Sequence, residues 1–340
     1  MRNTFSCFFV ILFAYYSSYA QSSSDYFRKG KEQYDSSLYN IATDNFTQSI
    51  TLNPRFDSAY YYRGYCYFKL KDTIQADIDW QTAISINPRC NIARFYHASV
   101  KYYNNDTLGS IRELDTVLYF DKNDKEALYA RAYLKLELGY YESSVEDWNR
   151  YMLQNSGNDT AYFNRGYALD NLERYKEAIK DYKKSIEINP HNANAYCNLG
   201  NIMYDTKKYK TALLYFDKAI LFDSKLKQAH YGRGLVKNSI KKDAESINDF
   251  NEAIKLDSLY TKAFVGRGVA KSHLGDYNAA LIDYTKAIKI NSGKENAVAY
   301  YNSGNMKVKL NDLVGALKDY YIAYKYGYMD AKNEIKRISK

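Results

Sequence analysis

The sequence predicts an all-α protein, a superhelical solenoid of antiparallel helix pairs. Three observations carry this. Glycines recur at a spacing of 34 residues. Other slots of the same period hold a fixed side-chain size. Only three prolines occur in 340 residues, too few for a loop-rich β protein and suited to helices. The 46% apolar and 26% charged residues are ordinary globular values. Tyrosine is the outlier, with 39 copies.

The first element stands apart from the fold. Arg2 supplies a short basic start, and Phe5 to Tyr16 is an apolar run broken at Ser6 and Cys7. Ser18-Tyr19-Ala20 then puts small residues where a signal peptidase reads. Residues 1–20 are read as a cleaved secretory signal, with Gln21 as the new N-terminus. The run is shorter than the roughly 20 apolar residues of a membrane span. An apolar helix packed on the fold is the competing reading. Removal of the signal leaves Cys66, Cys90 and Cys197, an odd and scattered set that makes no disulfide framework. They read as small packed hydrophobes.

The repeat follows. Gly30, Gly64, Gly166, Gly200, Gly234 and Gly268 are separated by 34 or, once, by three times 34. Ala98 and Ala132 fill the two missing places, and Gly304 arrives two residues late, which places an insertion near Gly293-Lys294. Twelve residues after each glycine slot comes a small residue, Ala42, Ala76, Ser110 and so on to Ala316. Four further on comes a large one: Phe46, Trp80, Leu114, Trp148, Tyr182, Phe216, Phe250, Tyr284, Tyr320. Pro54, Pro88 and Pro190 share one slot, preceded by Asn or Asp in eight units.

On these residues the chain resembles the tetratricopeptide repeat proteins, whose period is 34. Nine units cover the array 21–330: 23–56, 57–90, 91–124, 125–158, 159–192, 193–226, 227–260, 261–294 and 297–330. Segment 331–340 is expected to be a C-terminal capping helix, with Ile335 and Ile338 over the last apolar face. The resemblance implies two antiparallel helices per unit, stacked because one unit cannot bury its own faces. A mid-helix glycine costs about 1 kcal/mol against alanine, so close packing is its expected reason. Arg often replaces the family's apolar residue before the glycine, and six units lack the proline.

That arginine carries a test inside the sequence. Arg63, Arg131, Arg165, Arg233 and Arg267 each have an Asp sixteen residues on: Asp79, Asp147, Asp181, Asp249 and Asp283. His97 has Glu113, while the unit with Leu199 has Tyr215. In these seven units charge appears and disappears in both slots together. The expectation is a structural ion pair, within a unit or across a unit boundary. The competing reading is an arginine ladder for an anionic ligand.

No enzyme is expected. The four histidines fall in four different slots, and no cluster has metal spacing. No nucleophile elbow or phosphate loop occurs, and no cofactor is implied. The resemblance instead implies binding of a protein or peptide in a concave groove lined by first helices. Candidate groove residues are Phe27, Tyr61, Tyr65, Phe95, Tyr129, Tyr133, Phe163, Tyr167, Asn201 and Tyr231. Tyrosine gives a large contact area with a polar tip. The same rings could serve only to pack neighbouring first helices. The family's carboxylate clamp of Lys and Asn is not carried over, because Cys197 and Gly232 break the set.

Charge is uneven: residues 21–158 hold 16 Lys+Arg against 18 Asp+Glu, and residues 159–340 hold 31 against 21. Two function classes follow. One is an exported scaffold, periplasmic or at the cell surface, that binds a protein or peptide. The alternative is a module for a polyanion or glycan, using the basic C-terminal half. The export signal disfavours nucleic acid.

Overall fold

The computed structural model describes residues 21–339; the expected signal segment lies outside the described residues. Among these residues there are nineteen α-helices, one short 3-10 helix and no strand. None of the helices is long and apolar enough to cross a membrane.

The chain divides into two compact units, one ending at Ser156 and one starting at Gly157. The first holds four helix pairs. They are α1 (Ser23–Asp35) with α2 (Tyr39–Leu52), α3 (Asp57–Lys69) with α4 (Thr73–Ile86), α5 (Asn91–Tyr103) with α6 (Thr107–Phe120), and α7 (Lys125–Glu137) with α8 (Tyr141–Gln154). The second holds five pairs and a cap. They are α9 (Asp159–Asn171) with α10 (Tyr175–Ile188), α11 (Ala193–Asp205) with α12 (Tyr209–Phe222), α13 (Lys227–Ser239) with α14 (Asp243–Leu256), α15 (Thr261–His273) with α16 (Tyr277–Ile290), α17 (Ala297–Lys309) with α18 (Leu313–Lys325), and α19 (Ala331–Ile338).

The size slots are explained by one contact. In the seven repeats that carry the glycine, the large residue of the second helix lies over that glycine of its own first helix. A Cβ on Gly64 would sit 2.9 Å from the Trp80 indole nitrogen and 3.0 Å from the Ala76 carbonyl oxygen. A Cβ on Gly200 would sit 2.7 Å from the Phe216 ring. Trp80, Trp148, Tyr182, Phe216 and Phe250 are fully buried, each worth about 1.5–3 kcal/mol of apolar burial. The next repeat closes the other side of the ring. Phe216 meets Gly232, and Phe250 meets Gly266 at 2.7 Å from a Cβ built there. In the first unit aromatic rings do this work: Phe46 stacks on Tyr62 at 5.8 Å and Trp80 on Tyr96 at 5.1 Å.

Two kinds of turn join the helices. Inside each pair, one residue takes a left-handed conformation that ends the first helix. Gly139 and Gly275 do so, but so do Ser37, Lys71, Asn105, Glu173, Lys207, Lys241 and Asn311, with φ between 58° and 71°. Between pairs, the Asn or Asp slot makes the turn with its own side chain. The Asn53, Asn87, Asp121, Asn189, Asp223, Asp257 and Asn291 side-chain oxygens accept from the backbone N–H two residues on, at 2.8–3.2 Å. This Asx turn keeps the geometry in repeats that lack proline. The longer connection before α17 contains the 3-10 turn Lys294–Asn296, and the Asn296 amide donates to the Ala287 carbonyl at 2.8 Å. At the far end, Ile335 and Ile338 of α19 pack against a cluster of Tyr300, Ala316, Tyr320 and Ala323.

Candidate functional site

Arginine geometry comes first, because it decides whether these cations are available to a ligand. Arg63 donates from Nε and Nη2 to both Asp79 oxygens, at 2.8 and 2.7 Å. Arg131, Arg165 and Arg267 make the same fork with Asp147, Asp181 and Asp283, at 2.5–2.9 Å. Arg233 directs Nε and Nη2 at one oxygen of Asp249, at 3.0 and 2.6 Å. These carboxylates are buried. The remaining Nη1 reaches back sixteen residues, to the second helix of the preceding repeat. Its acceptors are Thr47 for Arg63, Asp115 for Arg131, Asp217 for Arg233 and Asn251 for Arg267, at 2.5–3.1 Å. One guanidinium therefore ties three helices together.

A lysine one turn further along the first helix joins three of these carboxylates and also Asp319, which accepts from Ser303 in the ninth repeat. Lys135 meets Asp147, Lys237 meets Asp249, Lys271 meets Asp283 and Lys307 meets Asp319, at 2.6–2.9 Å. The third repeat differs from the sequence expectation. Arg94 takes Glu113 at 2.6 Å, and His97 Nδ1 instead meets Asp77 at 2.6 Å, with Glu113 at 3.9 Å from its other nitrogen. His97 lies on the previous repeat's side of the first helix, within reach of α4. Leu199 is fully buried, so an apolar side chain fills the arginine's slot in the sixth repeat.

The groove candidates are not equivalent. Phe27 packs on Phe46, Phe56 and Tyr62 at 4.7–5.7 Å. Tyr61 contacts Tyr62 and Tyr96, and Tyr65 contacts Tyr34 and Tyr96. Burial drives the Tyr61 hydroxyl far above the ordinary tyrosine range, and it brings Tyr96 up to about 12. Tyr129 stands edge-on to Trp148 at 5.0 Å, and Phe163 leans on Tyr182 at 5.8 Å. Tyr231 touches Phe250 and Tyr260, and burial pushes its hydroxyl up to about 12. Open surface belongs to Tyr133 (38% exposed), Tyr167 (41% exposed) and Asn201. Phe27, Tyr61, Tyr65, Phe95, Tyr129, Phe163 and Tyr231 are partly buried.

Several residues of this face lie outside the sequence-read set. Tyr102 is half-buried on α5, and its hydroxyl donates to the Glu137 carboxylate at 3.1 Å. Tyr133 bonds the same carboxylate. In the second unit Asn198 donates to the Tyr182 hydroxyl at 3.1 Å. Asp170 accepts from that hydroxyl at 3.4 Å, and burial raises its carboxyl to about 6. Cys197 is buried, and burial alone lifts its thiol to about 12, well away from reactivity. Tyr102 and Glu137 could have been found by tracking the slots one turn beyond the groove row.

Comparisons with known proteins agree with this architecture. Family models described as TPR repeat and tetratricopeptide repeat match residues 171–207, and residues 193–225 and 261–293. No curated protein matches the sequence. Among solved structures, a tetratricopeptide repeat protein from Parabacteroides merdae is 18% identical, covers 77% of this chain and 98% of its own, and has a TM-score of 0.56. The C-terminal part of a TPR repeat-containing protein from Cytophaga hutchinsonii is 18% identical, with coverages of 70% and 98% and a TM-score of 0.53. A chain of the APC/C hetero-tetramer Cut9–Hcn1 is 11% identical, with coverages of 93% and 69% and a TM-score of 0.54. At these identities the likeness is one of fold.

Proposed function

We propose that this tetratricopeptide repeat protein is an exported, non-enzymatic scaffold that captures a protein or peptide on the tyrosine-rich face of its first helices. A repeat fold of this kind is suited to protein–protein interaction. The observation that carries the finer reading is the division of labour among charges and rings. The conspicuous arginines are spent on buried carboxylates. The tyrosines Tyr133 and Tyr167 keep 38% and 41% of their surface open. Large rings held from behind offer contact area at little entropic cost.

The test is affinity capture from the native cell envelope, comparing the wild-type chain with a variant carrying Tyr61→Ala, Tyr65→Ala, Tyr129→Ala and Tyr133→Ala. The expected result is loss of capture with helicity retained by circular dichroism. Unchanged capture refutes the face. Salt-sensitive binding to anionic polymers without a protein partner would favour the polyanion or glycan reading of the basic half. Export is tested separately: N-terminal sequencing of the protein from the envelope fraction should begin at Gln21.

A further inference from the structure

Within the first unit, the ring that covers the preceding repeat's large residue is missing at the third junction, and a cavity opens there. Phe46 is covered by Tyr62, and Trp80 by Tyr96. At the third and fourth repeats the corresponding residues are Leu114 and Ala130. Both are smaller, in register, at the same junction. The result is a cavity of about 200 Å³ between α5 and α7, walled by Phe95, Tyr102, Leu114, Tyr129, Ala130 and Tyr133. A second cavity of about 270 Å³ shares Phe95, Tyr129 and Ala130 with it and runs toward Lys125, Tyr151 and Asn155. A dry apolar cavity of about 150 Å³ is enough to admit a benzene ring. The first cavity thus has room for one large apolar side chain, and its neighbour for another.

At the rim stands Glu137, on the exposed surface. It accepts from the Tyr102 hydroxyl at 3.1 Å and is also bonded by Tyr133. Among the described residues no Lys, Arg or His comes within salt-bridge distance of it. Glu126, at the opposite end of α7, is beside Lys125 at 3.5 Å. A carboxylate whose direction is fixed by two hydroxyls, beside a cavity lined by their rings, is preorganised for a cation. The surrounding residues 21–158 are net acidic, with 16 Lys+Arg against 18 Asp+Glu.

We propose that the Leu114–Ala130 junction is a side-chain pocket for an extended peptide, taking a Leu, Met or Phe with a Lys or Arg beside it that pairs with Glu137. This rests on the reading of the first-helix face as the binding surface and adds the chemistry selected there. The two features act on different parts of the ligand. The cavity sets the apolar residue, and Glu137 sets the sign of its neighbour.

The test uses the whole mature chain and short fluorescein-labelled peptides in a Gly-Ser context, carrying Leu-Lys, Ala-Lys or Leu-Glu, read by anisotropy. The Leu-Lys peptide should bind, with Ala-Lys and Leu-Glu each about tenfold weaker or more. Ala130→Tyr restores the ring found at Tyr62 and Tyr96 and should abolish Leu-Lys binding while the helices stay intact. Should that variant unfold, Leu114→Phe plugs the cavity from its other wall with a residue that the same slot holds at Phe46, Phe216 and Phe250. Glu137→Gln should keep the preference for Leu over Ala and remove the preference for Lys over Glu. No binding of the Leu-Lys peptide, full binding by the folded plugged variants, or a Lys preference surviving in Glu137→Gln would each overturn the proposal. Envelope capture separates this from the wider reading. If the plugged chain still captures its partner and the four-tyrosine variant does not, the pocket falls and the face stands. Capture by the four-tyrosine variant removes the face itself.

Discussion

Replacing Arg63 and Asp79, singly and together, measures what the ion pair between the two helices of one repeat contributes. The two side chains are 17% and 4% exposed. Arg63→Ala strands the Asp79 carboxylate in the core, a change that typically costs about 3–5 kcal/mol. Asp79→Asn leaves a neutral acceptor for one of the two N–H groups, and the guanidinium keeps Thr47 at 3.1 Å; that variant should lose about 1–2 kcal/mol. With both changes no charge is buried alone, so the double variant should cost less than the sum by about 2 kcal/mol. The assay is urea unfolding followed by tryptophan fluorescence. The chain has two tryptophans, Trp80 and Trp148, and both lie in the first compact unit, so the signal reports on that unit alone. Repeat arrays can unfold in parts, so the slope of each transition must be compared with wild type before midpoints become energies. A coupling below about 0.5 kcal/mol, the scatter expected of independent sites, would refute the pairing.

Three further outcomes are expected. Gly64→Ala gains helix propensity yet brings a methyl within 3.0 Å of Trp80 and of the Ala76 carbonyl; the net should be a loss of about 1–3 kcal/mol, read in the same fluorescence melts. Lys71→Gly and Glu173→Gly relieve left-handed residues with φ of 71° and 58°; each should raise the unfolding free energy by up to about 1 kcal/mol, followed by circular dichroism, and a loss would mean that the side chain does unseen packing. Asp170 holds its proton more tightly when folded, with a carboxyl raised by burial to about 6 against 3.8 for the free group. Its folded state is therefore favoured below about pH 4, and this advantage is lost as pH rises through 6. Asp170→Asn should remove that slope and stabilise the second unit at neutral pH by about 1–2 kcal/mol, measured by thermal circular dichroism at several pH values.

How much of this could be read from the chain depends on whether each contact sits at a fixed sequence distance. The helix pairs were legible because the glycine slot and the ring that covers it are always sixteen apart, and every repeat restates the size rule. Left-handed turns were missed: Gly139 and Gly275 announce them, but Ser37, Lys71 and Glu173 occupy the same slot and disguise it. Nor was the second reach of the arginines visible. It also spans sixteen residues, but its acceptors are Thr47, Asp115, Asp217 and Asn251, so no charge rule exposes it. For the site, a row of aromatic residues says nothing of which ring faces are covered. Tyr133 and Phe27 occupy adjacent registers of one pattern, yet one is open and the other is enclosed by three rings. The carboxylate of Glu137 meets Tyr102 across 35 residues, and only the stacking of neighbouring first helices brings them together.

The double enclosure of each ring has a consequence for how such a chain can diversify. Phe216 is bounded by Gly200 in its own repeat and by Gly232 in the next, and Phe250 by Gly234 and Gly266. The second repeat answers the same need with Tyr62, against Phe46. A 34-residue block cut at its turns and moved elsewhere would carry half of one enclosure and half of another. Set after the sixth repeat, the second repeat would drive Tyr62 into the space that Gly232 leaves for Phe216. The piece that can be exchanged whole runs from one second helix into the following first helix, so recombination through the middle of a repeat should preserve folding better than recombination at its ends.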